Sequence, residues 1–149
     1  MLARLTQAAV GVLDWIADRI LPAQTEPARQ HVGRRGEEDA YFHFRKLGYI
    51  IVARNYRSHH HHGEIDLIGW DHDSLCFIEV KTRTAHDIKP AEAAVNRAKQ
   101  EDLRLVARDY LRRLAPTPPC RFDVISVYYD DPAKQRPTFE LFKNAFPMA

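Results

Sequence analysis

The spacing of apolar residues predicts two helices in the first third of the chain. Before residue 22 the apolar side chains recur at helical intervals, at Leu2, Leu5, Val12, Trp15 or Ile16, and Ile20. Residues 22–31 contain two prolines and show no periodicity, which predicts a linker. From Gly36 onwards, Ala40, Phe44 and Leu47 fall on one face of a second helix, and Gly48 is suited to cap its carboxyl end.

The rest of the chain alternates between strand-like and helical patterns. Segments rich in β-branched and aromatic residues predict strands over residues 49–56, 64–70, 75–83 and 122–129, with a further strand near 137–146. Short polar turns join the first three strands, which predicts an antiparallel meander. A helical pattern over residues 91–114 separates the third strand from the fourth, so these two strands are expected to be parallel. The order predicts an α/β fold, with a central mixed sheet of four to five strands flanked by helices and an extra N-terminal helix.

Composition narrows the class of protein without identifying it. The 149 residues are 45% apolar, enough for one domain with its own core, and we divide them into residues 1–31, a helix and linker, and the domain 32–149. Cys76 and Cys120 lie far apart and outside any C-x-x-C pair, which excludes a structural zinc ribbon and favours a reducing compartment, expected to be the cytoplasm. The net charge of +2 is too small to indicate a polyanionic partner by itself.

The N-terminal helix is not expected to span a membrane, because Asp14, Asp18 and Arg19 interrupt its apolar residues. Its polar face carries acidic as well as basic groups, which favours packing or dimerisation over attachment to a membrane surface. The expectation is therefore a homodimer formed through this helix and no transmembrane segment. Attachment to a membrane surface or to another partner is the alternative.

Carboxylates and a lysine gather on one side of the predicted meander. Because side chains alternate along a strand, Glu79 and Lys81 share a face of the third strand, and Glu64 and Asp66 share a face of the second. If the two faces coincide, several carboxylates meet in a small volume, which is costly unless a cation lies among them. Hard oxygen ligands suit Mg²⁺ or Mn²⁺, and such a site supports phosphodiester hydrolysis. An exposed Glu–Lys ion pair with no catalytic role is the alternative.

Six short blocks between residues 33 and 127 carry a resemblance to known proteins. They are G-R-R-G-E-E-D-A (33–40), L-G-Y-I-I-V-A-R-N-Y-R (47–57), G-E-I-D-L-I (63–68), F-I-E-V-K-T-R (77–83), A-V-N-R-A-K-Q (94–100) and R-F-D-V-I-S-V (121–127). In this order they resemble the bacterial YraN-like uncharacterised protein family, within the PD-(D/E)xK nuclease superfamily. The resemblance implies a restriction-endonuclease-like fold.

The resemblance also implies roles for individual residues. Asp66 and Glu79 would be the metal-binding acids, and Lys81 the lysine that polarises water or faces phosphate. Glu37, on the first core helix, corresponds to the helix-borne acid that completes the site. Glu64 would be an outer or metal-bridging acid. The superfamily includes resolvases, restriction enzymes and repair nucleases, together with members that bind nucleic acid without cutting it, so the fold does not decide the function.

Basic residues on the long predicted helix indicate a nucleic-acid partner, expected to be DNA. They recur along one stripe, at Arg97, Arg104, Arg108 and Arg112, with Lys99 nearby, and phosphate contacts of this kind give binding without sequence preference. The resemblance adds Gln100 near the site and Arg83 as a phosphate contact. Acidic residues on the same helix reduce its local charge, so an ordinary solvated face is the alternative.

Four consecutive histidines, His59 to His62, precede the G-E-I-D block. A specific metal site draws on spaced ligands with supporting partners, and a run of identical residues provides neither, so we expect a solvated loop. Protonated histidines beside the acids would attract phosphate at mildly acidic pH, which is the alternative role.

The leading hypothesis from the sequence is a Mg²⁺- or Mn²⁺-dependent nuclease-like protein that acts on DNA, with branched or damaged structures as expected substrates. A non-catalytic nucleic-acid-binding or scaffold protein that retains the nuclease fold is the alternative.

Overall fold

Seven elements make up the part of the chain that the computed structural model describes, residues 26–83, 95–129 and 136–149. In chain order they are helix α1 (Glu26–Lys46), strands β1 (Ile50–Arg57), β2 (Glu64–Asp71) and β3 (Ser74–Arg83), helix α2 (Arg97–Leu111), and strands β4 (Cys120–Tyr128) and β5 (Thr138–Phe146). The strands form one sheet in the order β1-β2-β3-β4-β5. Strands β3 and β4 are parallel and the other neighbours antiparallel, so the predicted restriction-endonuclease-like α/β fold with a mixed sheet is confirmed. The extra N-terminal helix lies outside the described residues.

Each helix covers one face of the sheet, because the central strand β3 is apolar on both faces. Leu75 and Phe77 belong to the core that contains Leu103 of α2. The alternate residues Cys76 and Ile78 belong to a second core that contains Phe44 of α1. Neither described helix is long and apolar enough to cross a membrane.

Helix α1 is longer than its apolar pattern predicts. It begins at Glu26, with Pro27 in the first turn, where a missing backbone N–H is tolerated. The predicted linker is therefore wrong for residues 26–31, and the division at residue 31, which the helix crosses, stays a prediction. Leu47 was expected on the buried face and is instead 52% exposed. The predicted cap is confirmed, because Gly48 has φ of 91° and the Tyr49 N–H donates to the carbonyl of Phe44.

Helix α1 approaches strand β3 closely at Gly36. A Cβ atom on Gly36 would lie 1.8 Å from the hydroxyl oxygen of Thr82, so a larger residue fits here only if the Thr82 side chain or the helix shifts. The contact brings the next residue of the helix, Glu37, to the end of β3.

Helix α2 is shorter than predicted at both ends. It starts at Arg97, because the side-chain oxygen of Asn96 accepts a hydrogen bond from the Lys99 N–H at 2.9 Å and caps the helix. The prediction that it begins near residue 91 is wrong, since residues 95 and 96 are not helical. It ends at Leu111 rather than at residue 114.

A network centred on Arg121 joins the ends of β2 and β5 to the start of β4. Its members are Tyr49, Asp71, Arg121, Asp123 and Lys143, which we call the arginine network. Arg121 donates to Asp123 at 2.9 Å and to Asp71 at 2.7 Å, and Lys143 donates to Asp71 at 3.0 Å. Asp123 is fully buried and also accepts from the backbone N–H of Asn144. Each carboxylate here has a cationic partner.

Candidate active site

Strands β2 and β3 separate at Asp66, and its side chain fills the gap. The last recorded pair of the antiparallel ladder joins Leu67 to Ile78. Two residues further along β3, the backbone N–H of Val80 donates to Oδ2 of Asp66, the residue before Leu67, at 2.7 Å. The carboxylate thus takes the place of a partner-strand carbonyl at Val80, and charges on both helices, Glu37 of α1 and Lys99 of α2, act on it.

Glu79 follows at the same end of β3 and faces helix α2. Its side chain is only 7% exposed, and its Oε1 lies 3.2 Å from the Lys81 ammonium and 3.8 Å from that of Lys99. Its Oε2 is buried and has no hydrogen-bond partner among the described residues. A buried carboxylate oxygen without a donor is costly, so this atom is suited to an external ligand.

Two further acids stand beside this pair. Glu37 on α1 and Glu64 at the start of β2 are linked by Asn55 of β1: with its amide nitrogen turned towards them, Asn55 donates to Oε2 of Glu37 and to Oε1 of Glu64, each at 3.0 Å. The second oxygen of Glu64 accepts from the Arg57 guanidinium. We call Glu37, Glu64, Asp66 and Glu79 the acid cluster.

The acid cluster carries more negative charge than its neighbours compensate. Burial, followed by the charge of Glu79, raises the pKa of Asp66 well above its ordinary value, and Glu37 adds to the effect while Lys99 opposes it. The pKa of Glu37 is also raised, by burial and then by Glu64 and Glu79, whereas Arg54 and Arg34 act against the rise. Removing a proton from either acid therefore becomes easier when a cation is present.

The donor set suits a hard divalent cation with open coordination positions. Within the described residues, no three His, Cys, Asp or Glu side chains enclose a volume ready for a metal ion. Mg²⁺, however, is usually held by one or two carboxylates and keeps several waters. Two features match such a site: an oxygen of Glu79 without a hydrogen-bond partner among the described residues, and a raised pKa at Asp66. The residues present therefore fit a divalent cation.

Lys81 and Lys99 both lie beside Glu79 of the acid cluster. The other predicted nucleic-acid contacts differ in their exposure and in their hydrogen-bond partners. Gln100 donates to the carbonyl of Val95 at 2.9 Å. Arg104 is 13% exposed and donates to the carbonyl of Pro147 at 3.0 Å, so its guanidinium is largely committed within the fold. Arg108 is exposed, whereas Arg83 is half-buried at the end of β3.

Several residues beside the acid cluster were not expected from the sequence. The strand pattern over residues 49–56 assigns Asn55 no role at the site, although asparagine is a poor strand former and its place within a β-rich block is a signal. The exposed cations Arg34 and Arg54 act on Glu37, and Arg57 pairs with Glu64. Their sequence positions on α1 and β1 gave no indication that these elements converge.

The histidine loop is solvated, as expected, at His59, His60 and His62. It is anchored to α2 by Ser58, whose hydroxyl donates to Asp109 at 2.9 Å. The histidines thus lie on a loop tied to the helix that also carries Lys99.

Comparison with known proteins now adds the family. The model of the uncharacterised protein family UPF0102 matches residues 36–127. The chain belongs to this family. A UPF0102 protein of Koribacter versatilis is 54% identical over 141 residues, which cover 95% of this chain and 94% of the relative. A UPF0102 protein of Solibacter usitatus is 40% identical over 92% of this chain and 99% of the relative, and one of Chlorobaculum tepidum is 42% identical over 80% and 94%. The resemblance to the YraN-like family is confirmed.

Proposed function

We propose that this UPF0102 protein is a Mg²⁺- or Mn²⁺-dependent nuclease that binds DNA and hydrolyses phosphodiester bonds, with branched or damaged DNA among its substrates. The observation that carries the proposal is the meeting of Asp66 and Glu79 where β2 and β3 separate, with an unpartnered buried oxygen on Glu79 and Lys81 beside it. Two acids and a lysine at such a gap provide the groups that phosphodiester hydrolysis needs.

Asp66 and Glu79 would hold the cation, with Glu37 and Glu64 outside them. When bound, the cation stabilises negative charge on the phosphodiester and lowers the pKa of a water molecule. Asp66 is oriented for this role by the Val80 N–H, and Glu79 by the ammonium groups of Lys81 and Lys99. The chain therefore supplies a preformed pair of oxygens rather than flexible ligands.

Lys81 would position the attacking water or a phosphate oxygen. Its side chain is 30% exposed, so the ammonium can contact Glu79 on one side and a ligand from solvent on the other. Because the lysine is tied to Glu79, its position relative to the two acids is maintained before substrate binds.

The phosphate backbone of DNA would contact cations on both sides of the acid cluster. Arg34 and Arg54 lie on the α1 and β1 side and are exposed, and Lys99 lies on the α2 side. Arg108 is available on the surface of α2, whereas the contacts of Arg104 favour a structural role over the predicted one. Arg83 and Gln100 remain proposed contacts at the ends of β3 and α2.

A cleavage assay tests the catalytic proposal. Four-way junction, flap and single-stranded DNA are incubated with the full chain and Mg²⁺ or Mn²⁺. Asp66→Asn and Glu79→Gln keep the side-chain shape and are expected to lower the cleavage rate at least a hundredfold, because they remove the charges that would bind the cation. Asp73→Asn and Glu38→Gln are matched controls on exposed residues and are expected to cleave normally. Equal loss in the controls, or full activity in Asp66→Asn, would contradict the proposal.

A nucleic-acid-binding protein without turnover is the second candidate, favoured by the finding that no three acidic, histidine or cysteine side chains of the described residues enclose a metal position. It predicts DNA binding that persists in EDTA and no cleavage with either metal. Arg54→Glu should weaken binding in both cases, with Arg108→Glu reporting separately on α2.

We also propose a cytoplasmic location and a homodimer formed through the N-terminal helix. Leu5→Asp and Ile16→Asp in the full chain test the dimer, because each places a charge on the predicted apolar face. Light scattering should then give half the mass of the native protein, and an unchanged mass would count against the dimer.

A further inference from the structure

Asn55 occupies an unusual backbone position beside the acid cluster. It lies within β1, but its φ is 50°, in the left-handed region that most side chains avoid and asparagine tolerates. Its neighbours Arg54 and Tyr56 pair with Leu67 and Ile65 of β2, so Asn55 lies opposite Asp66. The distorted residue of β1 thus faces the residue at which β2 leaves β3.

The side chain of Asn55 joins two acids from different elements. With its amide nitrogen turned towards them, Asn55 donates to Oε2 of Glu37 on α1 and to Oε1 of Glu64 on β2, each at 3.0 Å. Two N–H bonds are all that an amide nitrogen offers, and both are used on carboxylates. The two carboxylates act on each other as like charges, so the shared amide opposes their repulsion.

The amide holds these acids without neutralising them. Two acids of the cluster also have cationic partners: Arg57 pairs with Glu64, and Lys81 with Glu79. Asp66 accepts from the neutral backbone N–H of Val80. A lysine in place of Asn55 would occupy the role of an external cation, whereas a neutral amide leaves the negative charge available.

We propose that Asn55 is a positioning residue that holds Glu37 and Glu64 at the edge of the cation site, so that the acid cluster is arranged before the cation binds. The inference rests on the proposed metal-dependent function. It assigns Asn55 no contact with substrate or with the reacting atoms, and its action is expected in cation affinity. Partners of this kind typically change metal affinity by about ten- to a hundredfold when removed.

Substitutions at Asn55 separate the backbone requirement from the amide. Asn55→Gly keeps the left-handed conformation without strain but removes the amide, and Asn55→Ala removes both. Asn144→Gly is the matched control, because Asn144 has φ of 54° on β5 and contacts the arginine network instead. Mn²⁺ binding to the full chain without DNA is measured by calorimetry, and the melting temperature without metal is measured alongside.

The expected result is roughly tenfold weaker Mn²⁺ binding in Asn55→Gly, with a melting temperature near that of the native chain, and native Mn²⁺ binding in Asn144→Gly. Asn55→Ala should bind as weakly as Asn55→Gly and melt at a lower temperature. Native Mn²⁺ affinity in Asn55→Gly would overturn the proposal while leaving the metal-dependent function standing. A native chain that binds no Mn²⁺ would overturn both.

Discussion

The two ends of strand β2 shift the pKa of a carboxylate in opposite directions. At its last residue, Asp71 receives hydrogen bonds from Arg121 and Lys143, and these lower its pKa well below the ordinary range. Near its first residue, the half-buried Asp66 lies beside Glu79, and desolvation together with the charge of Glu79 raises its pKa. The same strand therefore carries one acid whose ionised form stabilises the fold and one whose ionised form destabilises it. Groups that weaken a fold in this way are concentrated at functional sites, which is why the acid cluster, and not the arginine network, is the candidate site.

The largest expected loss of stability comes from breaking the arginine network. Arg121→Met leaves Asp123 fully buried without its cation and should lower the free energy of unfolding by about 3–5 kcal/mol. Urea unfolding measures the change. Arg108→Met, at an exposed position, is the control and should stay within about 0.5 kcal/mol of the native chain. A loss at Arg121 as small as that of the control would mean that the network does not stabilise the fold.

The next effect concerns the packing that brings Glu37 to the acid cluster. Gly36→Ala forces the new Cβ against Thr82 and should destabilise the protein by about 1–3 kcal/mol. Gly33→Ala lies on the same helix with no atom within 4 Å, so it should be neutral or stabilising by up to about 1 kcal/mol. Thermal melting of both variants measures the difference. Equal stability of the two variants would contradict the close approach of α1 to β3.

A smaller effect, of opposite sign, is expected at Asp66. Because its pKa rises to about 8 in the folded chain, its contribution to stability is complete below the unfolded pKa of about 4 and is lost as the pH rises towards 8. In metal-free buffer at pH 8, the free energy of unfolding of Asp66→Asn should therefore be about 1–2 kcal/mol higher than that of the native chain. Under the proposed function, the same variant is expected to lose cleavage. Asp73→Asn is the control. A destabilised Asp66→Asn at this pH would show that the carboxylate is compensated.

The smallest expected effect is at Asp71, where the dependence of stability on pH has the opposite sign to that at Asp66. Its pKa is lowered in the folded chain, so its contribution is present above the unfolded pKa of about 4 and is lost as the pH falls. Asp71 is partly exposed, so solvent screening limits the effect to roughly 1 kcal/mol. Chemical unfolding between pH 2 and 5 should show a shallower acid loss in Asp71→Asn than in the native chain. Parallel curves would assign the acid sensitivity to other groups.

Local pattern was sufficient where the chain alternates strictly. The apolar run around Phe77 predicted the third strand, and alternation placed Glu79 and Lys81 on one face of it, as the structure shows. The hydrophobic pattern did not predict a helix over residues 26–31, because these residues lack an apolar face. They are helical as an extension of the later turns of α1, which pack on the sheet. The pattern also failed at the start of α2, where the cap at Asn96 decides the boundary.

The sequence by itself determined which chemical groups are present and the order of the helices and strands that carry them. The groups follow from residue type, and the elements follow from the spacing of apolar residues. Only the tertiary structure decided how these groups are used. It ended the ladder between β2 and β3 so that Asp66 caps Val80, and it brought Asn55 to Glu37 and Glu64 across three elements. It also turned Arg104 from the predicted DNA contact towards Pro147. These outcomes depend on contacts between residues far apart in the chain, and no local period records such contacts.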